Sequence, residues 1–113
     1  MILDDARMLA DKLKASEEYQ TYREAKARAY AQPSTAALLD EFYKLRMKAQ
    51  ASSVAGTPDA DVTEKLQKLG ELLQFDPAAA AYLMAEFRLN ALIGEIYRIL
   101  AKAVDLDLGA FEA

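Results

Sequence analysis

The sequence contains no cysteine, no histidine and no tryptophan. Without cysteine the chain can form no disulfide, offer no thiolate nucleophile and bind no Cys-ligated zinc or iron–sulfur cluster. Without histidine it lacks the commonest general base and the commonest metal ligand. Proline and glycine are scarce, three and four in 113 residues, and β-branched residues are few, a balance that favours helix over strand almost throughout. No uncharged stretch approaches the ~20 apolar residues of a membrane span. Asp4 and Asp5 stand where a signal peptide would need a basic start and an apolar run. The expected location is cytoplasmic, without membrane insertion.

An excess of positive charge is missing as well. The formal net charge is −4, and the halves differ: residues 1–50 carry nine Lys/Arg against eight Asp/Glu, residues 51–113 five against ten. A nucleic-acid binder gathers cations on one face. Here the signs alternate, as on a solvated helix surface. Nucleic-acid binding is therefore expected to be weak or absent. If it occurs, Lys44, Arg46 and Lys48 beside Lys26 and Arg28 are the first residues to test.

What is present is apolar and helix-forming. The hydrophobic fraction is 53%, largely alanine with leucine behind it, and the length suits one domain. Five helices are expected, joined near 14–16, 32–34, 52–58 and 75–77. In the first, Ile2, Ala6, Leu9 and Leu13 form an apolar stripe. Ser16 reads as the N-cap of a second helix to about Ala31, with Glu17 and Glu18 in its first turn and Tyr19, Tyr22, Ala25, Ala29 and Tyr30 on one face. Pro33 ends it. Ser34 is expected to cap a third helix bearing Leu38, Leu39, Phe42, Leu45 and Ala49, with Asp40 and Lys44 paired on its outer side. Residues 51–58 read as a loop. Thr57-Pro58 is the expected cap of a fourth helix bearing Val62, Leu66, Leu69 and Leu73, with Glu64 and Lys68 paired outside. Asp76-Pro77 repeats the signature and opens a long fifth helix to about Val104. The reading is an all-α five-helix bundle, a single domain over 1–104 with a flexible tail over 105–113.

The fifth helix bears on assembly. Arg88, Glu95, Arg98 and Lys102 fall within an arc of roughly 80° at the helical period, and apolar residues occupy much of the rest. So narrow a polar stripe implies cover on several sides. A second subunit is the economical source, with Phe87, Leu89, Asn90, Ile93, Ile96, Tyr97 and Leu100 as the candidate oligomer interface. Glu86 and Asn90 interrupt the apolar arc one turn apart. They are either a recognition pair or a register-setting pair within a helical interface.

Catalytic motifs do not assemble. The dimetal carboxylate site of helical bundles needs Glu-x-x-His. Asp59-Ala60-Asp61 lacks the further ligands of a calcium loop and reads as helix-start acids. Gly56, Gly70, Gly94 and Gly109 stand too far apart to cradle a phosphate. Ser16, Ser34, Ser52 and Ser53 have no histidine to activate them. No catalytic residue, metal ligand or cofactor is assigned, and a small all-α enzyme is the third-ranked reading. Tyr19, Tyr22, Tyr30 and Tyr43 could stack single-stranded bases. At helical spacing in a small bundle, however, aromatics more often form a half-buried core with the hydroxyl reaching water.

Three stretches together resemble the YlbF/YmcA family of small helical bacterial regulators. Ala15-Ser16-Glu17-Glu18-Tyr19-Gln20-Thr21-Tyr22-Arg23-Glu24-Ala25-Lys26 is similar to the family's S-E-E-Y-x-x-Y-x-x-A-K segment. Pro33 through Leu45 resembles its L-L-x-E-F region. Asp76-Pro77 through Leu108, with Tyr82-Leu83, Glu86, Arg88-Leu89-Asn90 and Leu106-Asp107-Leu108, resembles its last segment. The resemblance implies a non-catalytic regulatory subunit that works as a helical oligomer and within a protein complex. That complex promotes competence, biofilm formation and sporulation, through messenger-RNA processing by RNase Y or through a phosphorelay. Tyr19, Tyr22, Lys26, Glu86 and Asn90 are the candidate partner-binding residues. Some members hold iron–sulfur clusters through cysteines, a role this chain cannot inherit. A helical nucleic-acid-binding protein is the alternative.

Overall fold

The computed structural model describes residues 1–106. They form α1 (Ile2–Lys14), α2 (Glu17–Tyr30), α3 (Pro33–Val54), α4 (Ala60–Leu73) and α5 (Pro77–Ala103), with no strand among the described residues. The fold is all-α, as the composition requires.

Local chemistry sets each break. The Ser16 hydroxyl oxygen accepts from the Tyr19 amide at 3.1 Å, the expected N-cap of α2. Gln20 Nε2 donates back to the Lys14 carbonyl at 2.8 Å and ties the two-residue turn. At the next break the expectation of a Ser34 cap is corrected. Gln32 occupies the cap with extended backbone and no side-chain cap bond, and Pro33 begins the helix. Proline's fixed φ suits that first position, and its missing N–H is one that the helix could not have satisfied.

The expected loop over 51–58 is also too long. α3 continues to Val54, and the Ser52 hydroxyl donates to the Lys48 carbonyl at 3.0 Å, the back-bonding that lets serine sit inside a helix. The helix then closes on a Schellman motif. Gly56, at φ 77°, donates to Ser53 O and Thr57 donates to Ser52 O. Because the Thr57 amide still serves α3, Thr57 does not cap α4. Asp59 does, its carboxylate accepting from the amides of Asp61 and Val62 at 2.9 and 3.3 Å. The Asp76-Pro77 signature holds: Asp76 Oδ1 accepts from the amides of Ala78 and Ala79 at 3.1 and 3.3 Å.

At the far end a second Schellman motif forms without glycine. Asp105 has φ 54°, its amide faces the Lys102 carbonyl, and Leu106 donates to Ala101 O at 2.9 Å. The first two residues of the expected tail thus belong to the cap of α5. The rest of that tail, residues 107–113, lies outside the described residues.

The helices gather into two compact units, one of residues 23–83 and one of residues 1–22 with those from 84 onward. In the first, α3 and α4 pack as a helical hairpin. Leu39 and Leu45 of α3, Leu73 of α4, Ala25 and Ala29 of α2, and Ala79 and Tyr82 of α5 are buried. A side chain of leucine size contributes about 1.5–3 kcal/mol on full burial. Gly70 of α4 faces Phe42 of α3: a Cβ there would stand 3.4 Å from Phe42 Cε1, an ordinary contact. Tyr30 meets Tyr82 edge to face, centroids 5.8 Å apart. The expected Glu64–Lys68 pair forms at 3.0 Å. Asp40, expected to pair with Lys44, instead accepts from the Tyr30 hydroxyl at 3.4 Å.

The unit of α1, the start of α2 and the length of α5 from Met84 has a much smaller core. Ala85, Leu89 and Ala101 are its buried residues among those described. None of α1 is buried.

Candidate interaction surface

Because α5 is apolar around most of its circumference, its own unit covers it incompletely. The polar stripe is where the period puts it: Arg88, Glu95, Arg98 and Lys102 are all exposed, with Arg98 paired to Glu95 at 3.0 Å. The candidate interface residues divide into three groups. Leu89 is buried within the chain. Ile93 and Ile96 are half-buried. Phe87, Tyr97 and Leu100 are 70%, 61% and 56% exposed. Asn90 is exposed beside them, so within one chain it is not a buried polar group.

Phe87, Asn90, Gly94 and Tyr97 recur at i, i+3, i+7 and i+10, one side of the helix. Two exposed aromatics flanking an amide on a rigid helix make a surface with an apolar body and a hydrogen-bonding centre, the composition of an interface core.

Of the candidate partner-binding residues, Tyr19, Tyr22, Glu86 and Asn90 fall in the unit of α1 and α5, whereas Lys26 falls in the other. Tyr19 and Tyr22 are half-buried and tilted against one another, ring centroids 6.5 Å apart. Tyr30 is half-buried, Tyr82 buried and Tyr43 exposed. Four of these five tyrosines therefore lie in or near packed interior. Tyr43 instead meets the Arg46 guanidinium, 5.7 Å from its ring centroid, and the same guanidinium lies 5.5 Å from the Phe42 centroid.

One feature escaped the sequence. A shallow cleft of about 220 Å³ is lined by Glu17, Glu18, Thr21, Ala85 and Arg88, all in one unit. Glu17 and Thr21 share a face of α2 by their i,i+4 spacing, but nothing in the sequence says that Arg88 stands across from them. Two carboxylates, a hydroxyl and a guanidinium can bind a polar side chain of mixed charge. Among the described residues no three Asp or Glu converge as a metal site requires, and no helix is long and apolar enough to cross a membrane.

Comparison with known proteins agrees with the helical reading. Residues 2–105 match the family described as control of competence regulator ComK, YlbF/YmcA. A UPF0342 protein from Symbiobacterium thermophilum is 35% identical over 106 residues, 93% of this chain and 95% of that protein. Another from Clostridium novyi is 30% identical over 107 residues, 94% of each. Among solved structures, a DUF964 protein of unknown function from Bacillus stearothermophilus superposes with a TM-score of 0.81 at 20% identity, over 92% of each chain. Bacillus subtilis RicA, crystallised in complex with RicF, superposes with a TM-score of 0.62 at 20% identity, over 92% of this chain and 93% of RicA. With the order of helices, the caps at Ser16 and Asp76 and a match across nearly the whole described chain, the protein belongs to the YlbF/YmcA family.

Proposed function

We propose that this chain is a non-catalytic regulatory subunit of the cytoplasm that acts by binding proteins, including further copies of itself. One observation carries the reading: the exposed aromatic side chains along α5, Phe87 and Tyr97 flanking Asn90, on a helix with a narrow polar stripe. An exposed apolar surface of that extent marks a binding site more often than a free surface. RicA, of the same fold, is a precedent for a protein partner. In this reading the partners are other regulatory proteins of the family's complex, with RNase Y among those it reaches. The output is control of competence, biofilm formation and sporulation through messenger-RNA processing or a phosphorelay. Asn90, with Glu86, supplies hydrogen bonds that set the register of the assembled helices.

The test is affinity capture of the tagged chain from its native host, followed by mass spectrometry and RNA quantification. A stoichiometric regulatory protein, lost on Phe87→Glu and Tyr97→Glu together, is the expected result. Recovery of RNA without a stoichiometric protein, persisting near physiological salt, would overturn it.

A further inference from the structure

The self-assembly just proposed leaves open what covers α1. That helix has 13 residues, and none is buried. Ile2, Leu3, Ala6, Leu9, Ala10 and Leu13 lie within an arc of about 120° at the helical period, so α1 carries a full apolar face. Of those six, five are exposed and Leu13 is half-buried. An isolated helix of this length is marginal in water. Its order therefore requires a surface to lie on.

A matching surface exists in the same unit. The inward stripe of α5 begins covered and is progressively bared. Ala85 and Leu89 are buried, Leu92 and Ile96 half-buried, and Ile99 and Leu100 are 67% and 56% exposed. The C-terminal half, about 13 residues from Leu92 to Val104, rises about 20 Å, the same length as α1, and its one buried residue, Ala101, lies on the far side of the helix from this stripe. Charge gives a direction. Asp4 and Asp5 lie in the first turn of α1, and Lys102 lies in the last turn of α5. An antiparallel pairing brings those unlike charges together and opposes the helix dipoles.

We infer that α1 of one chain lies antiparallel along the C-terminal half of α5 of a second copy, and the reverse, so that a two-fold dimer buries both faces at once. A single isologous contact then covers two faces that the lone chain leaves wet, and its two-fold symmetry closes that contact rather than propagating it into a filament. The proposal rests on self-assembly but assigns a different surface from the Phe87–Tyr97 side.

The chain's lack of cysteine makes the test clean. Two differently tagged copies are co-expressed, one carrying Leu3→Cys and the other Leu100→Cys, and oxidised at low temperature. The expected result is a disulfide joining the two tags, with Leu13→Cys in place of Leu3→Cys giving none. A bond from Leu13→Cys but not from Leu3→Cys overturns the pairing. So does a Leu3→Cys product bonded only to itself, and so does a double variant that closes within one chain. Light scattering on the parent and on Leu9→Asp supplies the second readout: the mass should fall twofold, to the single-chain 12.5 kDa. A parent already at that mass refutes self-assembly altogether, and one that doubles only with a family paralogue present assigns the surface to that paralogue. A dimeric parent without the Leu3–Leu100 bond refutes only the α1 assignment.

Discussion

Thr35 and Asp76 lie far apart in sequence yet meet in the structure, the Thr35 hydroxyl donating to Asp76 Oδ2 at 2.5 Å. Thr35 is buried, and Gln32 Oε1 stands 3.3 Å from the same hydroxyl. One hydroxyl has one proton, and the shorter contact to a carboxylate takes it. This bond, with the amides of Ala79 and Ala78, holds the Asp76 carboxyl below its usual range against the opposing effect of desolvation. A carboxyl depressed in the folded state stabilises the fold above its unfolded pKa. That contribution is lost as pH falls from there through the folded value. Asp76→Asn should therefore flatten this part of the acid limb, visible as a smaller drop in melting temperature between about pH 5 and pH 2 than in the parent. Asp105 presents the opposite case, a side chain where none is wanted. It holds a left-handed backbone at the negative end of the α5 dipole. Asp105→Gly should stabilise the protein by about 1 kcal/mol, measured by denaturant midpoint.

Among the elements, caps decide boundaries, and two of them separate what was legible from what was not. Asp76-Pro77 and Thr57-Pro58 look alike in sequence. The first caps a helix and the second does not, because the Thr57 amide is held by the end of α3. That hold exists only because α3 runs on through Ser52 and Ser53, and serine is equally at home capping a helix or back-bonding within one. Asp59→Ala should accordingly cost about 1 kcal/mol of stability. Thr57→Ala should change it by less than about 0.5 kcal/mol. Guanidine unfolding of both variants decides. The stripes of α2, α3 and α4 were readable because period alone fixes which residues share a face. What covers a face is another matter. Leu89 and Leu100 are the same residue on the same side of α5, one 8% exposed and the other 56%. No periodicity distinguishes them, since cover depends on helices distant in sequence. For the same reason the Glu17, Glu18 and Arg88 cleft was invisible, and so was the burial of Leu89.

At the scale of the whole molecule the apolar content is unevenly used. One unit buries leucines from α3 and α4 behind a tyrosine pair, while the other buries two alanines and a leucine and leaves Ile2, Leu3, Phe87, Tyr97, Ile99 and Leu100 exposed. A protein whose fold is completed by association has a stability that depends on its own concentration. The melting temperature should rise across a hundredfold increase in protein concentration. In Leu9→Asp, which spares the chain's own buried residues, that dependence should weaken or vanish. Calorimetry or tyrosine fluorescence at several concentrations measures both.

The bareness of α1 has a consequence in time as well as in energy. A helix with no buried residue in its own chain contributes little to the folding nucleus, which must form from contacts made early and close in sequence. The α3–α4 hairpin, joined by a short loop and sealed at Phe42 and Gly70, is the segment that meets that description. In stopped-flow refolding, Leu45→Ala should slow the first-order phase. Leu9→Ala should leave that phase unchanged and act only on a later, concentration-dependent step.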